Sequence, residues 1–371
     1  MSNRKIFIYV PNLAGGGTER FFTQLASLLA LNERYSITYF YSVNFNKYKN
    51  ISNNDFLTFR KTISNRSIFA VWEVIYNCWK QKPSLILSAQ NHPNVLFSIL
   101  KCFLPKETDL VISERSFTHL ALNDAAFWPR KILNKMIPIS YKNADYIHCL
   151  TERIKFVLVN NYNLPEEKII VIPNFVDLEN VKRKSEKNIK FHVFNQNFLD
   201  FPYMVSIGRL HNQKGYKYLI DAYSRIHKKI PHKLIILGEG PLINDLKKQV
   251  EKNNLKKKII FGGFIKNPYP ILKNADLFVL SSLYEGMPNA LLEAISLEVP
   301  IISSDCPSGP REILGEEYKC LLYDPLDVQR LSELMLRQIV SPLKIPNTIL
   351  SKRFTVEKIV NAYEKLIISC L

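Results

Sequence analysis

Short apolar runs alternate with stretches of helical period along the whole chain, and nothing else in the sequence restricts its fold as much. The apolar runs fall at residues 5–10, 37–41, 85–88, 110–113, 146–149 and 169–172. They resume at 203–207, 233–237, 259–261, 277–280, 300–303 and 320–322. Helical patterns separate them, for example at 18–31, 94–103, 215–229, 241–252, 289–297 and 327–339, and an amphipathic segment at 355–370 follows the last. Strands that alternate with helices pair in parallel, because each helix carries the chain back to the end of the sheet at which the preceding strand began. The expected class is therefore α/β. With 371 residues, 47% of them hydrophobic, the chain is long enough for two cores. Breaks in the rhythm put one Rossmann-like domain at 1–178 and another at 203–354. Between them, 179–202 reads as a linker with an irregular insertion around the charged run Lys182-Arg183-Lys184. The helix at 355–371 is expected to pack back on the first domain. Two such domains facing one another leave an interdomain cleft along the carboxyl ends of both sheets, where open α/β sheets bind ligands.

Composition narrows the classes further. No run of about 18 apolar residues occurs, so no membrane-spanning helix is expected. Residues 1–10 are too short and too soon interrupted for a secretory signal, which places the chain in the cytoplasm. The six cysteines form no CxxC pair, so neither a zinc site nor a redox motif is indicated. The formal net charge of +17 suits nucleic acid, an anionic membrane surface or phosphorylated substrates, and equally a lysine-rich composition with no partner. There is no helix-turn-helix, RNP-like or zinc-finger signature, and nucleic acid is not expected as a partner.

Five loops that follow strands carry the chemistry. Gly15-Gly16-Gly17-Thr18-Glu19-Arg20 follows the first strand. A glycine turn at a helix start opens backbone N–H groups to a phosphate, and it also makes a tight turn that binds nothing. Arg20 stands where GxGxxG needs its third glycine, so this is no dinucleotide fingerprint. Gly208-Arg209-Leu210, with Lys214-Gly215 just beyond, sets two cations after the strand at 203–207. They are placed to stabilise a departing diphosphate, or are simply solvated. Gly238-Glu239-Gly240-Pro241 is a turn with proline opening the next helix. The most informative segment runs from Ser281 to Ala294. Its loop, Tyr284-Glu285-Gly286-Met287-Pro288, leads into a helix whose first N–H groups and positive dipole end form an anion site. Glu293 lies among Leu291, Leu292, Ala294 and Ile295. Near a core its carboxylate needs a partner such as a sugar hydroxyl; without the loop before it, it reads instead as an exposed helix glutamate. The fifth loop, Asp305-Cys306-Pro307-Ser308-Gly309-Pro310-Arg311-Glu312-Ile313, is another strand-to-helix turn.

Taken in this order, the five segments resemble the GT-B glycosyltransferases, and specifically glycosyltransferase family 4. The resemblance spans the chain and is sharpest between Gly208 and Ile313, where Glu285 and Glu293 look like the family's E-x7-E element. It implies retaining, metal-independent transfer of a sugar from a nucleotide-sugar donor, such as a UDP-linked hexose or N-acetylhexosamine. The implied acceptor is a glycan or a lipid-linked oligosaccharide, in the building of a surface polysaccharide, lipopolysaccharide or capsule. Arg209 and Lys214 would hold the donor diphosphate, Glu293 would bond the nucleotide ribose, and Glu285 would contact hydroxyls of the transferred sugar. Glu285, Arg209 and Lys214 are thus the catalytic candidates. Gly208 and the backbone of Gly286, Met287, Pro288, Asn289, Ala290 and Leu291 would meet the donor, and Gly16 and Gly17 would face the reaction centre from the first domain. Where relatives carry a histidine near the acceptor, this chain has Ser113-Glu114-Arg115-Ser116-Phe117-Thr118-His119, which makes Glu114, Arg115 and His119 candidates there. No Asp-x-Asp occurs. Neither metal nor cofactor is expected, since the two cations would do a metal's electrostatic work. A nucleotide-sugar epimerase or phosphorylase on the same fold is the alternative.

Two basic-aromatic segments bear on location. Phe127-Trp128-Pro129-Arg130-Lys131, continuing to Lys135, and Lys101-Cys102-Phe103-Leu104-Pro105-Lys106 both suit contact with a bilayer surface, or are ordinary helix ends. They lead to the expectation of a peripheral protein on the anionic inner leaflet, at the cytoplasmic face.

Overall fold

The computed structural model describes residues 4–13, 16–44, 55–117, 135–187 and 201–370. Two compact units result: one comprises the chain up to Asn174 together with the stretch from Glu357 onward, and the other runs from Phe175 to Val356. Both are α/β with parallel sheets, the class expected from the alternation.

The first unit holds strands β1 (Arg4–Tyr9), β2 (Tyr35–Tyr41), β3 (Leu57–Lys61), β4 (Leu85–Ala89), β5 (Asp109–Glu114), β6 (Tyr146–Cys149) and β7 (Ile169–Val171). They form one sheet in the order β3-β2-β1-β4-β5-β6-β7, with every pairing parallel. The register sets Ile6 of β1 between Ile37 and Leu85. All of β4 is buried, as befits a strand covered on both faces. Helices α1 (Gly17–Ala30), α2 (Ser67–Gln81), α3 (Asn91–Ile99) and α4 (Glu152–Asn160) lie between the strands. In α1 the buried Phe21, Phe22, Leu25, Ala26 and Leu29 fall on one helical face.

The C-terminal helix (Val356–Ser369) buries Ile359, Tyr363, Leu366 and Ile367. Its Glu364 Oε1 accepts from Asn32 Nδ2 at 2.8 Å, and Tyr146 OH donates to Ser369 O at 3.0 Å. Tyr363 packs its ring 5.2 Å from that of His148, which is wholly buried. A carbonyl only accepts, so the contact of His148 Nε2 with Ile172 O at 2.8 Å puts the ring proton on Nε2. Nδ1 then accepts from Ser113 Oγ at 2.7 Å. Burial pushes the pKa of this imidazole from 6.5 down to about 3, with the charge of Arg115 adding to the effect.

The second unit starts with α5 (Leu178–Ser185), where the sequence reads as irregular linker. Asp177 caps this helix by accepting from Asn180 N at 3.0 Å, and only Val181 and Ser185 are buried, too short a pattern to register as helical period. Strands β8 (Tyr203–Ile207), β9 (Lys233–Leu237), β10 (Ile259–Gly263), β11 (Leu277–Leu280), β12 (Ile301–Ser304) and β13 (Leu322–Tyr323) follow. Their order is β10-β9-β8-β11-β12-β13, again all parallel. The helices are α6 (Tyr216–Ile226), α7 (Ile243–Lys252), α8 (Tyr269–Lys273), α9 (Asn289–Ser296), α10 (Pro310–Leu314) and α11 (Val328–Val340). Met204, Leu219, Tyr223, Leu234, Ile236, Val279 and Leu334 belong to one continuous core.

Each sheet reverses its strand order beside its first strand, between β1 and β4 and between β8 and β11. Loops that leave the carboxyl ends there diverge to opposite sides and open a crevice, the usual ligand site of such sheets. Among the described residues no helix is long and apolar enough to cross a membrane.

Candidate functional site

At the reversal in the second unit, β8 delivers Gly208 to His211, a 3-10 turn at Asn212–Lys214 and then Gly215, where α6 begins. On the other side β11 delivers Ser281 to Pro288, where α9 begins. Gly215 has φ 61°, in the left-handed region, and a Cβ on it would run into the Ser281 carbonyl oxygen. The two loops are thus in backbone contact. Leu283 N donates to Gln213 O (2.7 Å), Gln213 Nε2 to Tyr284 O (2.9 Å) and Ser281 Oγ to Lys214 O (2.8 Å). Gly215→Ala therefore costs the unit about 1–3 kcal/mol, from the strained φ and the displaced carbonyl. A thermal melt of that variant checks the figure; an unchanged melting temperature would show that the loops are not held together here.

This contact brings two of the sequence candidates together. Lys214 Nζ lies 2.5 Å from Glu285 Oε1, with the side chains only 17% and 8% exposed. Ser282 Oγ donates to the same oxygen at 2.6 Å. A charge so withdrawn from water needs its counter-ion, so cation and carboxylate hold one another in place. Further loops interlock behind them. Ser304 Oγ donates to Ser282 O (2.6 Å), Ser308 Oγ to Gly286 O (2.9 Å) and Leu210 N to Glu239 O (2.9 Å). Asp305 and Arg311 close the loop after β12 with an ion pair that raises the pKa of the guanidinium. Cys306, beside Glu285, is buried; burial first and the carboxylate second push its thiol up to about 12, which makes it a packing group and not a nucleophile.

The remaining donor-side candidates divide by exposure. Gly286, Met287 and Pro288 are buried, Asn289 and Ala290 half-buried, and Gly208 half-buried. Leu291 is wholly buried and its amide already donates to Pro288 O at 3.0 Å, so the helix itself uses that N–H. No side chain caps α9. Glu293 is not the exposed helix glutamate that its sequence also allows: it is 5% exposed and accepts from Tyr269 OH at 3.3 Å. Arg209 stands exposed on its loop and makes no ion pair among the described residues.

In the first unit, Gly16 is the N-cap of α1 and Gly17 its first residue. A Cβ on Gly16 would collide with the Glu19 carboxylate, which folds back over it. Glu19 Oε1 accepts from Gln90 Nε2 at 3.2 Å. Gln90, on the loop after β4, has φ 81°, a strained value for a residue with a side chain. The Glu19–Gln90 pair joins both sides of this sheet's reversal and carries no sequence signal. Glu114 is buried at the end of β5 and accepts from Tyr141 OH at 3.1 Å. Arg115 follows it, its guanidinium 4.2 Å from the Phe21 ring centroid and 5.0 Å from that of Phe22, with Nη2 donating to Asn174 Oδ1 at 2.5 Å. Burial lowers its pKa to about 10. Gly15, His119 and the segment from Phe127 to Asn134 lie outside the described residues; Lys135 is exposed and Ile137 buried.

Residues 15–180 match the family model of Glycosyltransferase Family 4, and residues 188–349 that of Glycosyl transferases group 1. The chain is 31% identical over 235 residues to the N-acetylgalactosamine-N,N'-diacetylbacillosaminyl-diphospho-undecaprenol 4-alpha-N-acetylgalactosaminyltransferase of Campylobacter jejuni, covering 63% of this chain and 61% of that protein. It is 34% identical over 239 residues to the UDP-Gal:alpha-D-GlcNAc-diphosphoundecaprenol alpha-1,3-galactosyltransferase of Escherichia coli, covering 63% and 60%. The chain spans about three fifths of the length of these curated relatives. Among solved structures, Anabaena HepE in complex with UDP superimposes with a TM-score of 0.76 at 16% identity, over 99% of this chain and 100% of that one.

Proposed function

Because the chain belongs to glycosyltransferase family 4, whose two models match its two halves, we propose that it is a retaining glycosyltransferase that moves a hexose or N-acetylhexosamine from a UDP-linked donor to a lipid-linked oligosaccharide during assembly of a surface polysaccharide. The observation that carries this reading is the Lys214–Glu285 pair, set at a strand-order reversal beside the start of α9. The donor diphosphate lies against Lys214, Arg209 and the N-terminal end of α9. Glu285 accepts hydrogen bonds from hydroxyls of the sugar, and Glu293, steadied by Tyr269, accepts them from the ribose. The relatives named above act, by their names, on diphospho-undecaprenol-linked sugars, which supports the lipid-linked acceptor.

In the reaction the bond from the anomeric carbon to the β-phosphate oxygen breaks, and negative charge grows on that oxygen. The acceptor hydroxyl attacks from the same face and passes its proton to the departing phosphate, so configuration is retained. Fixed cations and helix N–H groups aimed at the growing charge lower the barrier. They do so without a bridging metal, and the enzyme works at the cytoplasmic face of a membrane as a peripheral protein.

The test is transfer with a panel of nucleotide sugars, with NMR of the product and with EDTA present. Turnover of a UDP-sugar, an α-linked product from an α-linked donor and full activity in EDTA are expected. Activity lost in EDTA and restored by Mg²⁺ or Mn²⁺ would remove the metal-free mechanism. Epimerisation of the donor without acceptor would replace the transferase reading altogether.

A further inference from the structure

We infer that α2 and the 3-10 turn at Lys101–Phe103 form a docking face for an anionic phospholipid bilayer, an inference that rests on the lipid-linked acceptor proposed above. A surface helix turns a polar face to water, but α2 does not. Its inner side buries Ala70, Val71, Val74, Ile75 and Cys78. Its outer side presents Phe69, Trp72, Tyr76 and Trp79, each 40–60% exposed, in one stripe at intervals of three, four and three residues. Single exposed apolar side chains are commonplace, but a continuous aromatic row marks a surface that something covers.

The row is extended and held rigid at both ends. Phe103 sets its ring 5.0 Å from that of Trp72, and its carbonyl accepts from Trp79 Nε1 at 2.9 Å. At the other end Ile63, almost fully exposed, is tied beside the helix by its N–H to Glu73 Oε2 at 2.7 Å, and Ile68 adds to it. Charge identifies the occupant. Arg66 precedes α2, Lys80 and Lys82 end it, and Lys106 follows the 3-10 turn, all exposed. Lys80 Nζ lies 4.6 Å over the Tyr76 ring. The nearby acids are Glu73, engaged with Ile63, and Glu107. Tryptophan and tyrosine with a fringe of lysine and arginine are the residues that settle at the boundary between head groups and acyl chains. With 15 residues, α2 is too short to span a bilayer and lies in its plane. A chain of net charge +17 brings the matching field.

The experiment is flotation of the full chain with vesicles of phosphatidylcholine, with and without phosphatidylglycerol, with melting temperatures as the folding control. The variants are Phe69→Ser/Tyr76→Ser and Lys80→Glu/Lys82→Glu, all at exposed positions. The wild type is expected to float with the anionic vesicles. The lysine pair is expected to weaken this by about thirtyfold or more, and the aromatic pair to abolish it. Two outcomes overturn the inference: unchanged flotation of both variants, or loss of a wild-type dimer in the aromatic variant with flotation unaffected, which would make the face a contact between copies. Transfer to a water-soluble acceptor analogue is measured in parallel. Its absence in the wild type would defeat the transferase reading while leaving the flotation result to stand or fall separately.

Discussion

Lys214→Ala is expected to slow sugar transfer by about a hundred- to a thousandfold, the loss seen when one fixed donor to a developing oxyanion is removed. The ammonium does two things in this arrangement. It holds the Glu285 carboxylate at 2.5 Å, and in the proposed reaction it also faces the donor diphosphate. Removing it leaves a carboxylate 8% exposed with Ser282 as its remaining hydrogen-bond donor of the two, so the loop loosens and the leaving phosphate loses a counter-charge. Glu285→Gln keeps the shape, removes the charge and slows transfer comparably. Because each partner positions the other, the double variant is expected to lose much less than the product of the single losses. Single-turnover rates with the preferred donor, read alongside melting temperatures, measure this. Near-wild-type rates in both single variants would take the pair out of the reaction, and losses that simply multiply would mean that the two residues act independently.

How far the sequence reached depends on how local each cause is. Strands β8, β9 and β11 start and end where their apolar runs do, because parallel strands covered on both faces are apolar along most of their length, Ser206 and Lys233 being the polar positions here. β3 gave no such run: of Leu57-Thr58-Phe59-Arg60-Lys61 only Leu57 is buried, since this strand sits at the sheet's edge. The exposed side of α2 carries Phe69, Trp72, Tyr76 and Trp79, so the sequence does not show which of its two apolar sides is buried.

The site divides in the same way. Loops, glycines and charges are legible one at a time, but Lys214 and Glu285 are 71 residues apart and meet only because β8 and β11 are neighbours. Glu293 reads two ways until Tyr269, 24 residues earlier in the chain, is found against it. Gln90 shows no sign of its φ of 81°, which the surrounding fold imposes. Arg115 stands where relatives carry a histidine, with Glu114 just before it. Their burial against Tyr141, Phe21 and Phe22 comes wholly from tertiary packing.

Acid weakens the first unit through His148, by up to about 5 kcal/mol at pH 3. The sign follows from the two states. Folded, the imidazole is neutral down to about pH 3; unfolded, it takes a proton near its ordinary 6.5. Above that value both states are neutral and the group contributes no pH dependence. Below it the unfolded chain binds one proton more than the folded one, so stability falls by about 1.4 kcal/mol for each pH unit until the folded pKa is reached. The whole chain need not unfold in one step for this to be read. Its three tryptophans, Trp72, Trp79 and Trp128, all precede Asn174 and therefore belong to the first unit. Urea titrations followed by tryptophan emission thus report on that unit by itself. His148→Asn removes the titration and weakens the bonds to Ser113 and Ile172, so this variant is less stable at pH 8. Carboxylates that titrate below pH 5 are common to both proteins and cancel in the difference. The gap between wild type and variant is therefore expected to narrow from pH 6.5 downward with a slope of one proton. A gap that stays constant across this range would mean that His148 is protonated in the fold, and that the bond to Ser113 is made the other way round.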